Sequence, residues 1–275
     1  MQMPLVRRPA VAGRFYPAKA ETLRRELDRY IGADAGSAEK VENALGCVVP
    51  HAGYRYSGPV AGAVYRRLPS CASYIILCPN HIGRGAPMAM MGTGAWQTPL
   101  GTVPVDAALA RVVRQNCRLV MDDADAHTDE HSLEVQLPFL QHTVGEFTFV
   151  PISIGVGGYD ALESLGQGLA ITAKNAGKRV LLIASSDMNH YEPDSITRMK
   201  DQKAIAKILA LDPRGLYEVL RREDISMCGY GPTIAMLEMA KKQGAQHAEL
   251  VKYATSAESS GDRSTVVGYA GIIIS

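Results

Sequence analysis

The stretch Arg179-Val-Leu-Leu-Ile-Ala-Ser-Ser-Asp-Met-Asn-His-Tyr191 decides the fold through a change of character partway along it. Val180 to Ala184 is a short apolar run rich in branched residues, the signature of a strand buried on both faces. It breaks into Ser185, Ser186, Asp187, Met188, Asn189 and His190, all polar but Met188. The same order recurs twice upstream. Leu45-Gly-Cys-Val-Val-Pro50 runs into His51, and Tyr74-Ile-Ile-Leu-Cys-Pro-Asn80 runs into His81. Each apolar strand delivers a histidine just past its carboxyl end. In an open α/β sheet that edge is where ligand sites assemble, so the three imidazoles are expected to converge.

Outward from these strands, the pattern alternates throughout. Leu23, Leu27, Tyr30 and Ile31 share one face of a helix over 19–31, stopped by Gly32. A polar, small-residue loop covers 33–41. Pro59 suits the first turn of a helix reaching about Arg67. Met88 to Met91 and a hairpin around Pro99-Leu-Gly101 read as short strands added at a sheet edge. Asp106 to Asn116 reads as a helix. Thr128 or Asp129 caps an expected helix with Leu133, Leu137 and Leu140 on its apolar face, bent or split at Pro138. Phe147 to Ile154 is a strand and 160–174 a helix. Helices at 195–210 and 213–222 follow, the second capped by Asp212 with Pro213 at its first position. Met227-Cys-Gly-Tyr-Gly-Pro232 leads into a helix ending near Gly244, and strands at 248–254 and 265–274 close the chain. With no repeat or linker in the 275 residues, one layered α/β/α domain over 1–275 is the simplest reading.

Composition narrows the function classes. The net charge is +1 and Lys and Arg are scattered, so neither nucleic acid nor an anionic membrane is an expected partner. No apolar stretch approaches the ~20 residues of a membrane span, and the first ten residues lack the apolar core of a secretory signal. Cys47, Cys71, Cys78, Cys117 and Cys228 make an odd, widely spaced set, which argues for reduced thiols and a cytoplasmic setting. Cys47 and Cys78 lie within apolar strands and read as small core residues.

Imidazole is the commonest metal ligand, one ring nitrogen on the ion and the other oriented by a neighbour. Three histidines at equivalent strand ends therefore point to metal or catalytic chemistry. Asp187 stands three residues before His190 and can orient that ring or supply an anion. Cys228 precedes Gly229, Gly231 and Pro232 at the start of a helix, a setting that tends to lower a thiol pKa. His127 and His131, and Glu130 and Glu134, are four apart. On a helix each pair would share a face, with Glu130 and His131 in a pocket wall. The spacing is not that of the His-Glu-x-x-His metalloproteases.

Together, Val48-Val-Pro-His-Ala-Gly-Tyr54, Pro79-Asn-His81, Asp129-Glu-His-Ser-Leu-Glu134, Ser185-Ser-Asp-Met-Asn-His190 and Cys228-Gly-Tyr-Gly231 resemble the Memo family. The resemblance runs from about Arg8 to Ile274. That family is similar in fold to the class III extradiol ring-cleaving dioxygenases, among them the protocatechuate 4,5-dioxygenase catalytic subunit. The resemblance implies a single α/β/α domain with a central mixed, mostly parallel sheet and a metal pocket at one end. It implies His51 and His81 as metal ligands, Cys228 in the third ligand position, His190 as the acid/base histidine and Asp187 beside it. It further implies iron or copper as the metal, redox chemistry, and AMMECR-type and radical-SAM proteins as partners. The eukaryotic relative is linked to motility signalling and to phosphotyrosine-containing peptides.

One departure bears on the chemistry. Cys228 falls where the dioxygenases place a glutamate, and a thiolate is softer, suiting copper or zinc as well as iron. Three functions are therefore expected to compete. The first is a metal-dependent oxidoreductase with His190 moving the proton. The second is a zinc hydrolase with His190 or Glu130 as base. The third is a protein that binds a peptide or small molecule in the same cleft, with Tyr54, Arg55, Tyr56 and Arg84 contributing.

Overall fold

Alternation along three strands settles where the core lies. In Ser73–Pro79 the side chains of Tyr74, Ile76 and Cys78 enter one apolar cluster, while Ile75 and Leu77 enter another on the opposite face. Gly46–Val49 and Val180–Ser185 divide the same way, with Cys47, Val49, Leu181 and Ile183 against Val48, Leu182 and Ala184. Both faces are buried because helices cover both. The structure is a computed structural model and describes residues 5–32, 38–155 and 157–275. Residues 33–37 of the expected polar loop lie outside the described residues.

In chain order the strands are β1 (Val6–Arg7), β2 (Gly46–Val49), β3 (Ser73–Pro79), β4 (Met88–Met90), β5 (Ala95–Thr98), β6 (Gly101–Pro104), β7 (Met121–Asp122), β8 (Thr148–Ile154), β9 (Val180–Ser185), β10 (His190–Glu192), β11 (Ala248–Thr255) and β12 (Val266–Ile274). The helices are α1 (Ala20–Ile31), α2 (Tyr54–Tyr65), α3 (Ala107–Asn116), α4 (Leu137–Thr143), α5 (Tyr159–Asn175), α6 (Asp194–Leu209), α7 (Pro213–Arg222), α8 (Tyr230–Lys242) and α9 (Ala257–Ser260). Among the described residues, nine strands form one mixed sheet in which β12, β2, β9, β3, β8, β4 and β7 follow one another. The four central strands β2, β9, β3 and β8 are parallel, and antiparallel pairings flank them at β12/β2 and β8/β4. β11 pairs with β12, and β10 sets His190 opposite Val267 at the start of β12. Helices α1, α2 and α4 pack on one face of the sheet, and α3 and α5 to α8 on the other.

Register then fixes the site. Val49 pairs with Ser185 and Leu77 with Ala184, so the carboxyl ends of β2, β3 and β9 open on one edge. At the opposite edge Asp106 caps α3 through Leu109 N–H at 2.9 Å and accepts from Ser73 Oγ at 2.7 Å and Thr148 Oγ1 at 3.0 Å. Lys178 pairs with it. Asp106 thus ties the starts of β3 and β8 to one helix and one lysine.

Four expectations change. The helix after His51 starts at Tyr54, five residues before Pro59, which lies inside it. Proline leaves the carbonyl four residues back without its usual donor; here that is Arg55, and Ser259 Oγ donates to it at 3.0 Å. The helix expected from 128 is instead a 3-10 turn at Ala124–His127, a second at Glu134–Gln136, and α4, with Pro138 in its first turn. The β5–β6 hairpin pairs with β1 in a separate three-stranded sheet rather than at the edge of the main one. Its Trp96 is wholly buried against Phe149 of β8, and that burial holds the small sheet on the large one. No strand was expected at His190–Glu192, where β10 forms.

Candidate metal centre

His51 follows β2 directly and is buried to 2% exposure. Its ring Nδ1 lies 3.0 Å from Ser185 Oγ at the end of β9, and its Nε2 lies 3.2 Å from Cys228 Sγ. Its backbone N–H donates to Asp187 Oδ1 at 2.8 Å, beside that of Ala52 at 3.3 Å. Burial, reinforced by His81 and His131 nearby, holds its pKa well below the ordinary imidazole value. It stands neutral, the form a metal requires.

His81 follows β3 and Asn80, with its side chain 31% exposed, so the site opens on its side. Its backbone N–H donates to Glu130 Oε2 at 2.6 Å and its ring Nδ1 meets Glu130 Oε1 at 2.9 Å. Burial disfavours charge on Glu130, but hydrogen bonds from His81 and Ser132 outweigh it and lower the carboxyl to about 2. Burial likewise works against His81, and Glu130 more than offsets it, raising the imidazole. The pair is a carboxylate orienting an imidazole, and with Nδ1 so engaged Nε2 is the nitrogen free for a metal.

Cys228 arrives from the loop before α8. Gly229 makes that approach possible, since a Cβ there would stand 2.2 Å from the Ser185 carbonyl oxygen and 2.4 Å from Ser186 Cβ. Its N–H donates to Ser186 Oγ at 3.0 Å. The glycine therefore serves close contact with β9. The expected lowering of the thiol pKa is reversed: burial and then the Asp187 charge push it up. A cation beside Cys228 is what would stabilise the thiolate.

The ligand atoms of His51, His81 and Cys228 all lie within 4.8 Å of one another. Zinc, at about 2.0–2.1 Å from nitrogen and 2.3 Å from sulfur, sets tetrahedral donors roughly 3.5 Å apart, so this donor set fits a single ion. His81, Glu130 and His131 form a second such group, but Glu130 Oε1 already accepts from Ser132 N–H at 2.9 Å and Ser132 Oγ at 2.7 Å. His131 stacks on His81 with ring centres 4.9 Å apart, and the Phe15 ring lies tilted 4.7 Å from it.

The remaining sequence candidates separate. His190 belongs to neither group; its N–H meets Ser226 Oγ at 2.8 Å and its Nδ1 the Ser226 carbonyl at 3.0 Å. Burial raises Asp187 to about 6 against the two amides that donate to it. Tyr54 turns into the core, its hydroxyl on the Val135 carbonyl at 2.6 Å and its ring beside Tyr16 and Phe139. Arg84 pairs with Asp129 at the surface, and Arg55 lies over Tyr56. His127 and His131 do not share a face, since His127 is buried against Trp96.

Residues for which the sequence showed no such partners complete the site. Ser132 and Gln136 reach Ser185. Glu134 pairs with Arg7 and accepts from Ala10 N–H at 2.7 Å, Val11 N–H at 3.1 Å and Tyr16 O–H at 2.6 Å. It fastens the chain's first described segment across the loop carrying Glu130 and His131. Asn189 Oδ1 accepts from Ser226 N–H at 3.0 Å, coupling the His190 and Cys228 loops. The only sequence signal was a run of polar residues adjoining apolar strands.

Residues 7–273 match the family model described as Memo-like protein. The chain is similar to MEMO1 family proteins of Methanopyrus kandleri, 43% identical with 97% of this chain and 98% of that one covered, and of Pyrobaculum arsenaticum, 45% identical with 98% of each covered. That of Methanosarcina barkeri is 44% identical, with 98% of this chain and all of the other covered. Among solved structures, an uncharacterized protein of Escherichia coli shares the fold at a TM-score of 0.56 and 13% identity, covering 83% of this chain and 98% of that one. Among the described residues, no helix is long and apolar enough to cross a membrane.

Proposed function

The chain belongs to the Memo family, and from that premise we propose that it is a metal-dependent oxidoreductase of dioxygenase type. His51, His81 and Cys228 hold one iron or copper ion, dioxygen is the oxidant, and the substrate is a small molecule entering on the His81 side. One observation carries the reading: three ligand atoms from three separate strand ends or loops lie within 4.8 Å of one another. Such an ion supplies two accessible oxidation states and open positions for oxygen and substrate.

The chain's own groups do the rest. Glu130 fixes the ring of His81, and Asp187 fixes the backbone of His51. His190 has Nδ1 engaged by Ser226, which leaves Nε2 to take and return a proton. All five cysteines are free thiols, which supports a reducing, cytoplasmic setting. AMMECR-type and radical-SAM partner proteins belong to the same proposal.

A second reading rests on Cys228. Two histidines and a thiolate with an open position also suit zinc and hydrolysis, and a cleft that binds a ligand without turnover is the third outcome. Metal analysis of protein purified anaerobically, with oxygen uptake measured on the same preparation, tests the proposal. Iron or copper bound in one equivalent and lost in Cys228→Ser supports it. Zinc alone, with no oxygen uptake, overturns the redox reading in favour of the second.

A further inference from the structure

We infer that Ser185 sets the tautomer of His51 and so aims its Nε2 lone pair at the metal position, a positioning role that rests on the metal-binding reading above. Ser185 Oγ has three polar neighbours: the Ser132 carbonyl at 2.6 Å, Gln136 Nε2 at 2.8 Å and His51 Nδ1 at 3.0 Å. A hydroxyl offers one proton and two lone pairs. The carbonyl has no proton to give, so the 2.6 Å contact takes the single proton of Ser185.

The orientation of Gln136 is fixed independently. Its Nε2 also faces the Pro50 carbonyl at 3.0 Å, which only accepts, and its Oε1 accepts from Tyr65 O–H at 2.8 Å. Gln136 therefore donates to one lone pair of Ser185. The other lone pair receives the N–H of His51 Nδ1. Neutral imidazole carries one N–H, so Nε2 is bare, and Nε2 is the atom 3.2 Å from Cys228 Sγ. The opposite tautomer would set the Ser185 and Ser132 oxygens 2.6 Å apart with no proton between them. Ser132, Gln136 and Ser185 are wholly buried, where no water can repair that loss.

His51 is thus held ready by a neutral hydroxyl, and His81 by a carboxylate. The chain of bonds reaches Tyr65 of α2, so the ligand's orientation is anchored in the core beneath the site.

Long-range proton–nitrogen-15 correlation spectra of the metal-free protein, with His51 assigned through His51→Gln, read which nitrogen carries the proton. Nδ1–H is expected in the wild type. Ser185→Ala is expected to move His51 toward Nε2–H and to weaken zinc binding on the order of 10–100-fold; Ser185→Thr, which keeps the hydroxyl, restores both. An Nε2-protonated His51 in the wild type overturns the assignment, as does Ser185→Ala with tautomer and affinity unchanged. If Ser185→Ala fails to fold, the wild-type spectrum decides alone. A wild type with Nδ1–H but no affinity for any metal would remove the metal reading while supporting the tautomer.

Discussion

Glu130 holds His81 at two points, accepting from its backbone N–H at 2.6 Å and meeting its ring Nδ1 at 2.9 Å. One carboxylate therefore fixes both where the residue stands and which way its ring turns. Glu130→Gln keeps the shape but loses the charge and one acceptor. Metal affinity, followed by competition with a chromophoric chelator, should fall on the order of 10–100-fold. An unchanged affinity would show that the ring needs no such partner.

Gly229→Ala tests how the thiol is delivered. The added methyl group would stand 2.2 Å from the Ser185 carbonyl oxygen, and backbone cannot yield as a flexible side chain does. Relieving the clash moves the Cys228 loop away from β9. Stability should drop by about 1–3 kcal/mol, with loss of the sulfur–metal charge-transfer band in cobalt-substituted protein. A retained band would mean the loop reaches the site without this contact.

Glu134 pairs with Arg7 in the interior and also serves Ala10, Val11 and Tyr16. Glu134→Leu leaves a buried guanidinium without its counter-charge, which costs about 3–5 kcal/mol. Denaturant unfolding checks this. Limited proteolysis should then cut the first twenty residues before the rest of the chain.

Asp106 gives a pH dependence, at the sheet edge opposite the candidate metal centre. Burial would raise its carboxyl, but Lys178, Leu109 N–H, Ser73 and Thr148 together lower it to about 2. Its folded pKa thus lies below its unfolded one, so the unfolded chain binds the proton more readily. The stabilisation is fully present above about pH 4 and fades as the pH falls toward 2. Unfolding of the wild type and of Asp106→Asn, compared across that window, should show the difference between them shrinking with acid. Zinc affinity at neutral pH should be the same in both.

The strand ends were legible because a buried parallel strand is a continuous apolar run, and each of three such runs stops at a polar break before a histidine. His51 and His81 come together where that pattern leads, joined by Cys228 from the loop before α8, while His190 at the third break stays outside the group. The loop over 124–136 was not legible. Its residues repeat at intervals of four, as a helix would, yet Glu134 bonds to backbone amides of residues 10 and 11. A buried carboxylate with distant partners decides that conformation, and periodicity within the loop carries no sign of it. Tyr54 misled for a related reason. It follows a site histidine in sequence, but α2 begins at Tyr54 itself and turns that ring toward Phe139.

X-ray absorption at the zinc edge, on protein loaded with one equivalent of zinc as a redox-silent probe, tests most directly whether His51, His81 and Cys228 share one ion. Two nitrogen scatterers at about 2.0–2.1 Å and one sulfur at about 2.3 Å are predicted, with the sulfur lost in Cys228→Ser. A shell of nitrogen and oxygen alone in the wild type, unaltered by that substitution, would contradict the assignment of Cys228 beside His51 and His81.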